Sequence, residues 1–338
     1  MNQNLLFTCA GRRNYLINYF KDALNGNGKI FAADQTLLAP ALVDADVAIT
    51  LPNIHEENYI SSLKKFIIKH KISAVVSLND FELPILSKHK TVLENTGTKV
   101  ILSNEGVINI AFDKMETFNF IKQIGLNTPK TYTNFKAAKS AINNGTLKFP
   151  LVVKRRWGSA SVDIDFPETM EELELAFTLQ QLKLKKSKLK AVSQHDFDNA
   201  ILIQEKLDGK EYGIDILNDF EGNYIGTFVR EKLSMRSGET DRAISVIDPK
   251  FETLGKTIAT HLKHFGNLDC DVFTVNSELF VLDLNPRFGG GYPFSHEAGI
   301  NIAAIYIDWL NNIVDVNKHN QYKAGFIFSK CDRLLKIS

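Results

Sequence analysis

Leu279-Phe280-Val281-Leu282-Asp283-Leu284-Asn285-Pro286-Arg287-Phe288-Gly289-Gly290-Gly291 is an apolar run carrying an acid, an amide and an arginine at two-residue intervals. A proline and three glycines then turn the backbone away. Strand side chains alternate between faces, so Val281, Asp283 and Asn285 are expected on one face and Leu282 and Leu284 on the other. Just upstream, Leu268-Asp269-Cys270-Asp271-Val272-Phe273 has the same strand character, and Asn276-Ser277 reads as a turn. Segments 268–275 and 278–285 are therefore a predicted hairpin with Asp271 across from Asp283, within about a residue of register. Two carboxylates and an amide, Asp271, Asp283 and Asn285, suit one or two Mg²⁺ ions (Mn²⁺ is the alternative), which commonly take one or two carboxylates plus phosphate oxygens. Arg287 beside them suits a phosphoryl group, through bidentate hydrogen bonding. Either acid alone reads equally well as a strand-end or solvated residue; the combination with Asn285 and Arg287 favours a site.

Bulk properties narrow the classes. A length of 338 residues suits about two domains or three small ones, and 44% hydrophobic content is ordinary for a globular chain. A formal net charge of +1 offers no argument for nucleic acid or an anionic membrane as partner. Cys9, Cys270 and Cys331 are scattered without a CxxC pattern, which argues for a reducing compartment. The start lacks a basic leader and no apolar stretch approaches about 18 residues. The expectation is a cytoplasmic protein with no membrane role.

Residues 1–110 alternate strand and helix patterns. Leu5–Ala10, Lys29–Asp34, Ala48–Pro52 and Ser73–Leu78 read as strands, with helical spacing at Tyr59, Leu63, Phe66 and Ile67. Such alternation predicts a mostly parallel sheet whose ligands gather at the carboxyl ends of its strands. Gly11, Arg12, Asp34, Asp80 and Glu82 lie there. Gly11-Arg12-Arg13 is not GxGxxG and reads equally as a tight turn with solvated arginines. Asp113-Lys114-Met115-Glu116 opens a predicted helix. Phe149–Lys154 reads as a strand and Arg155–Ser161 as a small-residue loop. Lys183–Lys190 reads as a solvated basic face. From Ala200 the pattern becomes β-rich: Ile201–Leu207, Glu211–Leu217 and Asn223–Lys232. A helical face at Phe251, Leu254, Ile258, Leu262 and Phe265 precedes the hairpin, and Ile302–Ile313 reads as a closing helix.

These pieces together call for a nucleotide. Lys154 with Gly158-Ser159-Ala160-Ser161 offers a cation and flexible backbone N–H groups to phosphates, without the Walker pattern. Gln204-Glu205-Lys206-Leu207 would present backbone groups to a purine edge, and Glu211 would accept ribose hydroxyls. Exposed strand acids are the other reading of Glu205 and Glu211.

In this order the chain resembles the ATP-grasp superfamily over nearly its whole length, and most resembles single-module proteins similar to the carbamoyl-phosphate-synthetase large subunit. The resemblance implies an α/β pre-ATP-grasp domain over 1–110. It implies a connector and lid over 111–205, and a subdomain with the metal site, antiparallel sheet and closing helix over 206–338. Lys114 and Lys154 resemble the two cationic phosphate contacts, and 155–161, with Gly158, Ser159 and Ser161, the mobile lid loop. Gln204, Glu205, Lys206 and Leu207 resemble the adenine hinge, and Glu211 the ribose acid. Asp271, Asp283 and Asn285 resemble the Mg²⁺ ligands, and Arg287 the arginine on the transferred phosphoryl group. Arg230 and Arg236 are further candidate substrate or phosphate contacts, with loop-surface roles equally open. Tyr292, His296 and Glu297 are candidates for the acceptor pocket. The implied activity is an ATP- and Mg²⁺-dependent carboxylate–amine ligase working through an acylphosphate on small-molecule carboxylate and amine substrates; the oligomeric state is left open, with a homodimer as the candidate. A carboxylating enzyme using carboxyphosphate and a non-catalytic nucleotide-binding protein are the alternatives.

Overall fold

The computed structural model describes residues 3–158, 163–186 and 194–337. Five short strands build the first sheet: β1 (Leu5–Thr8), β2 (Ile30–Asp34), β3 (Val47–Thr50), β4 (Ala74–Ser77) and β5 (Lys99–Val100), all parallel in the order β3-β2-β1-β4-β5. β1 and β4 are buried at every position, which is why they read as unbroken apolar runs. Helices Asn14–Leu24 and Tyr59–His70 turn Leu16, Ile17 and Phe20, and Leu63 and Ile67, onto opposite apolar layers.

A small antiparallel sheet follows: β6 (Thr131–Tyr132), β7 (Leu151–Arg155) and β8 (Ile201–Glu205), in the order β6-β8-β7. The third sheet has six antiparallel strands: β9 (Lys210–Asn218), β10 (Tyr224–Arg236), β11 (Glu239–Val246), β12 (Asn267–Val275), β13 (Glu278–Asn285) and β14 (Ile327–Ser329). Their order is β13-β12-β9-β10-β11-β14. Helix Pro249–Leu262 lays Phe251, Leu254, Ile258 and Leu262 on one face of this sheet, as their spacing predicts. Helix Ile302–Leu310 instead packs with Leu16 and Phe20 of the first domain, so one apolar cluster joins the two ends of the chain. No helix among the described residues is long and apolar enough to cross a membrane.

The predicted hairpin forms, with Asp271 directly opposite Asp283 and both Asn276 and Ser277 at positive φ in the turn. The strict alternation does not hold. Val272 pairs with Val281, so Leu282 is an extra residue, a bulge between Val281 and Asp283. Val281 therefore faces the apolar core with Leu284, while Leu282, Asp283 and Asn285 all face a cleft. This corrects the expectation that Val281 shares the face of Asp283.

Candidate active site

The cleft, of about 580 Å³, lies between the carboxyl edge of the parallel sheet, the end of β7 and the face of the six-stranded sheet. A groove of about 630 Å³ elsewhere is lined by Gln3, Ser73 and Lys99, at the amino ends of the parallel strands. Ligand sites of such sheets lie at the opposite edge, and the charged groups converge there, so the cleft is the candidate.

One wall carries two lysines, Lys114 and Lys154. The Asp113 side chain accepts from the Met115 and Glu116 N–H groups and caps helix Lys114–Gln123. The same carboxylate binds Arg156 Nε at 2.7 Å. These contacts hold Lys114 in the first turn, where its Nζ donates to Gly158 O at 2.7 Å and lies 3.7 Å from Asp283. Lys154, on β7, is only 6% exposed yet lines the cleft. Among the described residues its amine has no hydrogen bond and no carboxylate within 4.0 Å, and burial pulls its pKa below the ordinary lysine value. Ser159 and Ser161 lie outside the described residues.

The sheet carries the acids. Lys232 of β10 donates to Glu211 and to Asp271, each at 2.6 Å, so one nearly buried ammonium joins the two. Burial raises the Asp271 pKa in spite of Lys232. At Asp283 burial acts the same way, but Lys114, Lys154 and Lys232 outweigh it and the carboxyl sits below its usual range. Among the described residues no three His, Cys, Asp or Glu side chains form a metal cage. The donor set is thus two opposed carboxylates with Asn285 beside them, which fits a hard cation that completes its shell with phosphate oxygens and water.

Beneath these lies an ion network. Arg230, 2% exposed, donates from Nη1 to Asp215 (2.5 Å) and Ser295 (3.2 Å), and from Nη2 to Asp269 (2.8 Å). Arg287 grips Asp80 with Nε and Nη2, both at 2.9 Å, and reaches Asp269 with Nη1 at 3.2 Å. The glycine turn leaves room for this network. A Cβ on Gly289 would come 2.1 Å from the Asp269 carboxyl carbon, and one on Gly291 2.3 Å from Arg230 Nε.

Lys114, Lys154, Gly158, Glu211, Asp271, Asp283, Asn285, Arg230 and Arg287 thus meet in one cleft. Arg230 is a buried network member rather than a loop-surface residue. Arg236 is not brought to the cleft: it is half-exposed and pairs with Asp332 at 2.6 Å and Asp241 at 3.0 Å. Nor do Gln204, Glu205, Lys206 and Leu207 line it; the Gln204 side chain turns to Thr131 and Glu205 to the Lys130 N–H. Tyr292, His296 and Glu297 also lie away from it. Tyr292 accepts from the Ile302 N–H, His296 stacks on Tyr19 with ring centres 3.5 Å apart, and Glu297 accepts from Tyr19. Of the first-domain candidates only Asp80 lines the cleft. Glu82 is fully buried and accepts from Thr8, Ser77 and Tyr59, while Asp34 accepts from the Gly11 N–H at 2.9 Å. Arg12 is exposed and near Asp332. Lys232 and Glu239 carried no expectation, while Arg13, in the Gly11-Arg12-Arg13 turn whose ligand and solvated roles the sequence leaves equally open, and Asp269 both line the cleft. Lys232 follows Arg230 at a two-residue interval on a strand, a signal for a shared face that was legible.

Residues 5–101 match the family model described as PylC-like, N-terminal domain, and residues 197–333 that described as ATP-grasp in the biosynthetic pathway with Ter operon. The carbamoyl phosphate synthase large chain of Campylobacter jejuni is 26% identical over 236 residues, covering 66% of this chain and 20% of that protein. The carbamoyl-phosphate synthase of Methanobrevibacter smithii is 26% identical over 169 residues, 49% of this chain and 40% of that one. The chain thus spans well under half the length of these curated relatives. Among solved structures, biotin carboxylase from Campylobacter jejuni superposes with a TM-score of 0.75 at 15% identity, over 96% of this chain and 74% of that one. L-amino acid ligase from Bacillus licheniformis superposes at 0.68 with 19% identity, over 94% and 77%. At such identities the likeness is one of fold.

Proposed function

We propose that this chain, an ATP-grasp protein with a PylC-like N-terminal domain, is an ATP- and Mg²⁺-dependent ligase joining a small-molecule carboxylate to an amine. The observation that carries the reading is Lys154: a buried cation without a partner among the described residues, facing a pair of opposed carboxylates across a cleft. Burying an unpaired ammonium is costly, so its retention fits a ligand that brings negative charge.

In this reading Lys114 and Lys154 take the phosphate oxygens of ATP, and Glu211 takes a ribose hydroxyl. Asp271, Asp283 and Asn285 would hold Mg²⁺, which would supply positive charge to offset that of the phosphates. Lys232 already balances Asp271 and Glu211. The substrate carboxylate attacks the γ-phosphorus, the bond to the β-bridging oxygen breaks, and ADP leaves. An amine then displaces phosphate from the acylphosphate and yields its proton. The residues act by positioning and by offsetting charge that grows on the transferred group. Arg287, with its fork on Asp80, ties the first domain to the glycine turn and reaches the transferred group once Asp80 yields.

The test is ADP release with pooled carboxylates and amines, with hydroxylamine present to trap acylphosphates. ATP-dependent hydroxamate formation is the expected result. Dependence on bicarbonate alone assigns the carboxylating alternative, and Mg-ATP binding without turnover on any pool defeats the ligase reading.

A further inference from the structure

We infer that Arg13 is the anion-binding residue at the substrate end of the cleft, taking a carboxylate or phosphate group of the substrate. This deepens the ligase reading and rests on the cleft being its site.

The cleft holds three arginines from its floor and first-domain side, and two are spent. Arg230 is divided between Asp215, Asp269 and Ser295, and Arg287 between Asp80, Asp269 and the Phe288 carbonyl. Arg13 is different. The one hydrogen bond of its guanidinium among the described residues runs from Nη1 to Tyr15 Oη at 3.2 Å. Its nearest carboxylate, Glu239, is 3.8 Å away and is shared with Lys330 at 3.3 Å. Arg13, Lys330 and Glu239 together leave one positive charge uncompensated.

The position is one where a ligand can use that charge. Arg13 follows the carboxyl end of β1, and the order β3-β2-β1-β4-β5 puts the crossover crevice of the sheet between β1 and β4. Its side chain is 21% exposed and lines the cleft, reaching over the glycine turn of the other domain. A Cβ on Gly290 would lie 3.0 Å from Arg13 Nη1, so the turn leaves room for the guanidinium and little more. A planar fork with free N–H groups matches the paired oxygens of a carboxylate or phosphate, which an ammonium in its place would hold only as a point charge.

Calorimetric titration of succinate and, separately, inorganic phosphate into the chain saturated with Mg-ADP distinguishes the two sources. At least one anion should bind at one equivalent. Arg13→Met should weaken it tenfold or more, and Arg13→Lys should fall between. Succinate alone assigns a carboxylate and phosphate alone a phosphate group. Absence of binding by both anions overturns the inference, as does equal binding by the parent and Arg13→Met. Loss in Lys154→Met with retention in Arg13→Met overturns it too, by moving the anion to the nucleotide end. Mg-ADP affinity should be the same in parent and Arg13→Met. If Mg-ADP does not bind at all, the ligase reading falls, and titration without nucleotide still decides Arg13.

Discussion

Replacing Lys154 by Met should move stability and function in opposite directions. The side chain is nearly buried, and burial pulls its pKa below the ordinary lysine value. Met has a similar length and no charge. Asp283 keeps Lys114 at 3.7 Å and the field of Lys232, so it is not left alone. Exchanging a poorly compensated buried ion for a packed apolar chain should stabilise the protein by about 1–2 kcal/mol. Phosphoryl transfer should fall on the order of 10²–10³-fold, or about 3–4 kcal/mol, because a preorganised cation facing the growing charge is gone. Urea unfolding measures the first effect and single-turnover ADP formation the second. A variant less stable than the parent that still turns over ATP at the parental rate would refute the assignment of Lys154 to an anionic ligand.

Asp283→Asn keeps shape but removes one charge from the proposed metal pair; kcat should fall on the order of 10²-fold with a modest change in nucleotide affinity, and an unchanged kcat would dissolve the metal assignment. Gly291→Ala should destabilise by about 2 kcal/mol or more, because Arg230, held by two carboxylates, cannot retreat from a Cβ 2.3 Å from its Nε; unfolding midpoints equal to the parent's would show that the network yields. His264 is buried with its pKa pushed down to about 4: Nε2 donates to Ile216 O and Nδ1 accepts from Asn218. The unfolded chain takes up that proton first, so this contribution is complete above about pH 6.5 and is lost as pH falls toward 4, up to about 3 kcal/mol. His264→Gln should remove that part of the dependence, and identical pH profiles for parent and variant would exclude it.

Much of the cleft was legible because it is carried by local patterns. Asp271 and Asp283 face each other because two short strands joined by Asn276-Ser277 have few ways to pair. Asp113 announced a helix start and so placed Lys114. Arg236 and the segment from Gln204 to Leu207 were harder to place. A strand pattern says that a residue points to one side, but which side is a cleft depends on what packs there. Arg13 carried the weakest signal, since its importance comes from Gly290 and Glu239, more than 220 positions away.

By itself, the amino-acid order determined the parallel first sheet, the β-rich second half and the pairing of the two acids. Each follows from apolar periodicity and turn chemistry within a few tens of residues. Only the tertiary structure decided that Val281 turns inward at the Leu282 bulge and that Lys154 is buried without a partner among the described residues. It also decided that Arg230 and Arg287 are tied up by Asp215, Asp269 and Asp80 while Arg13 has only Tyr15 and a carboxylate, Glu239, that it shares with Lys330. The reason is physical: the charge state and availability of an ionisable side chain are set by desolvation and by partners brought together from distant parts of the chain, and neither quantity exists until the domains close on each other.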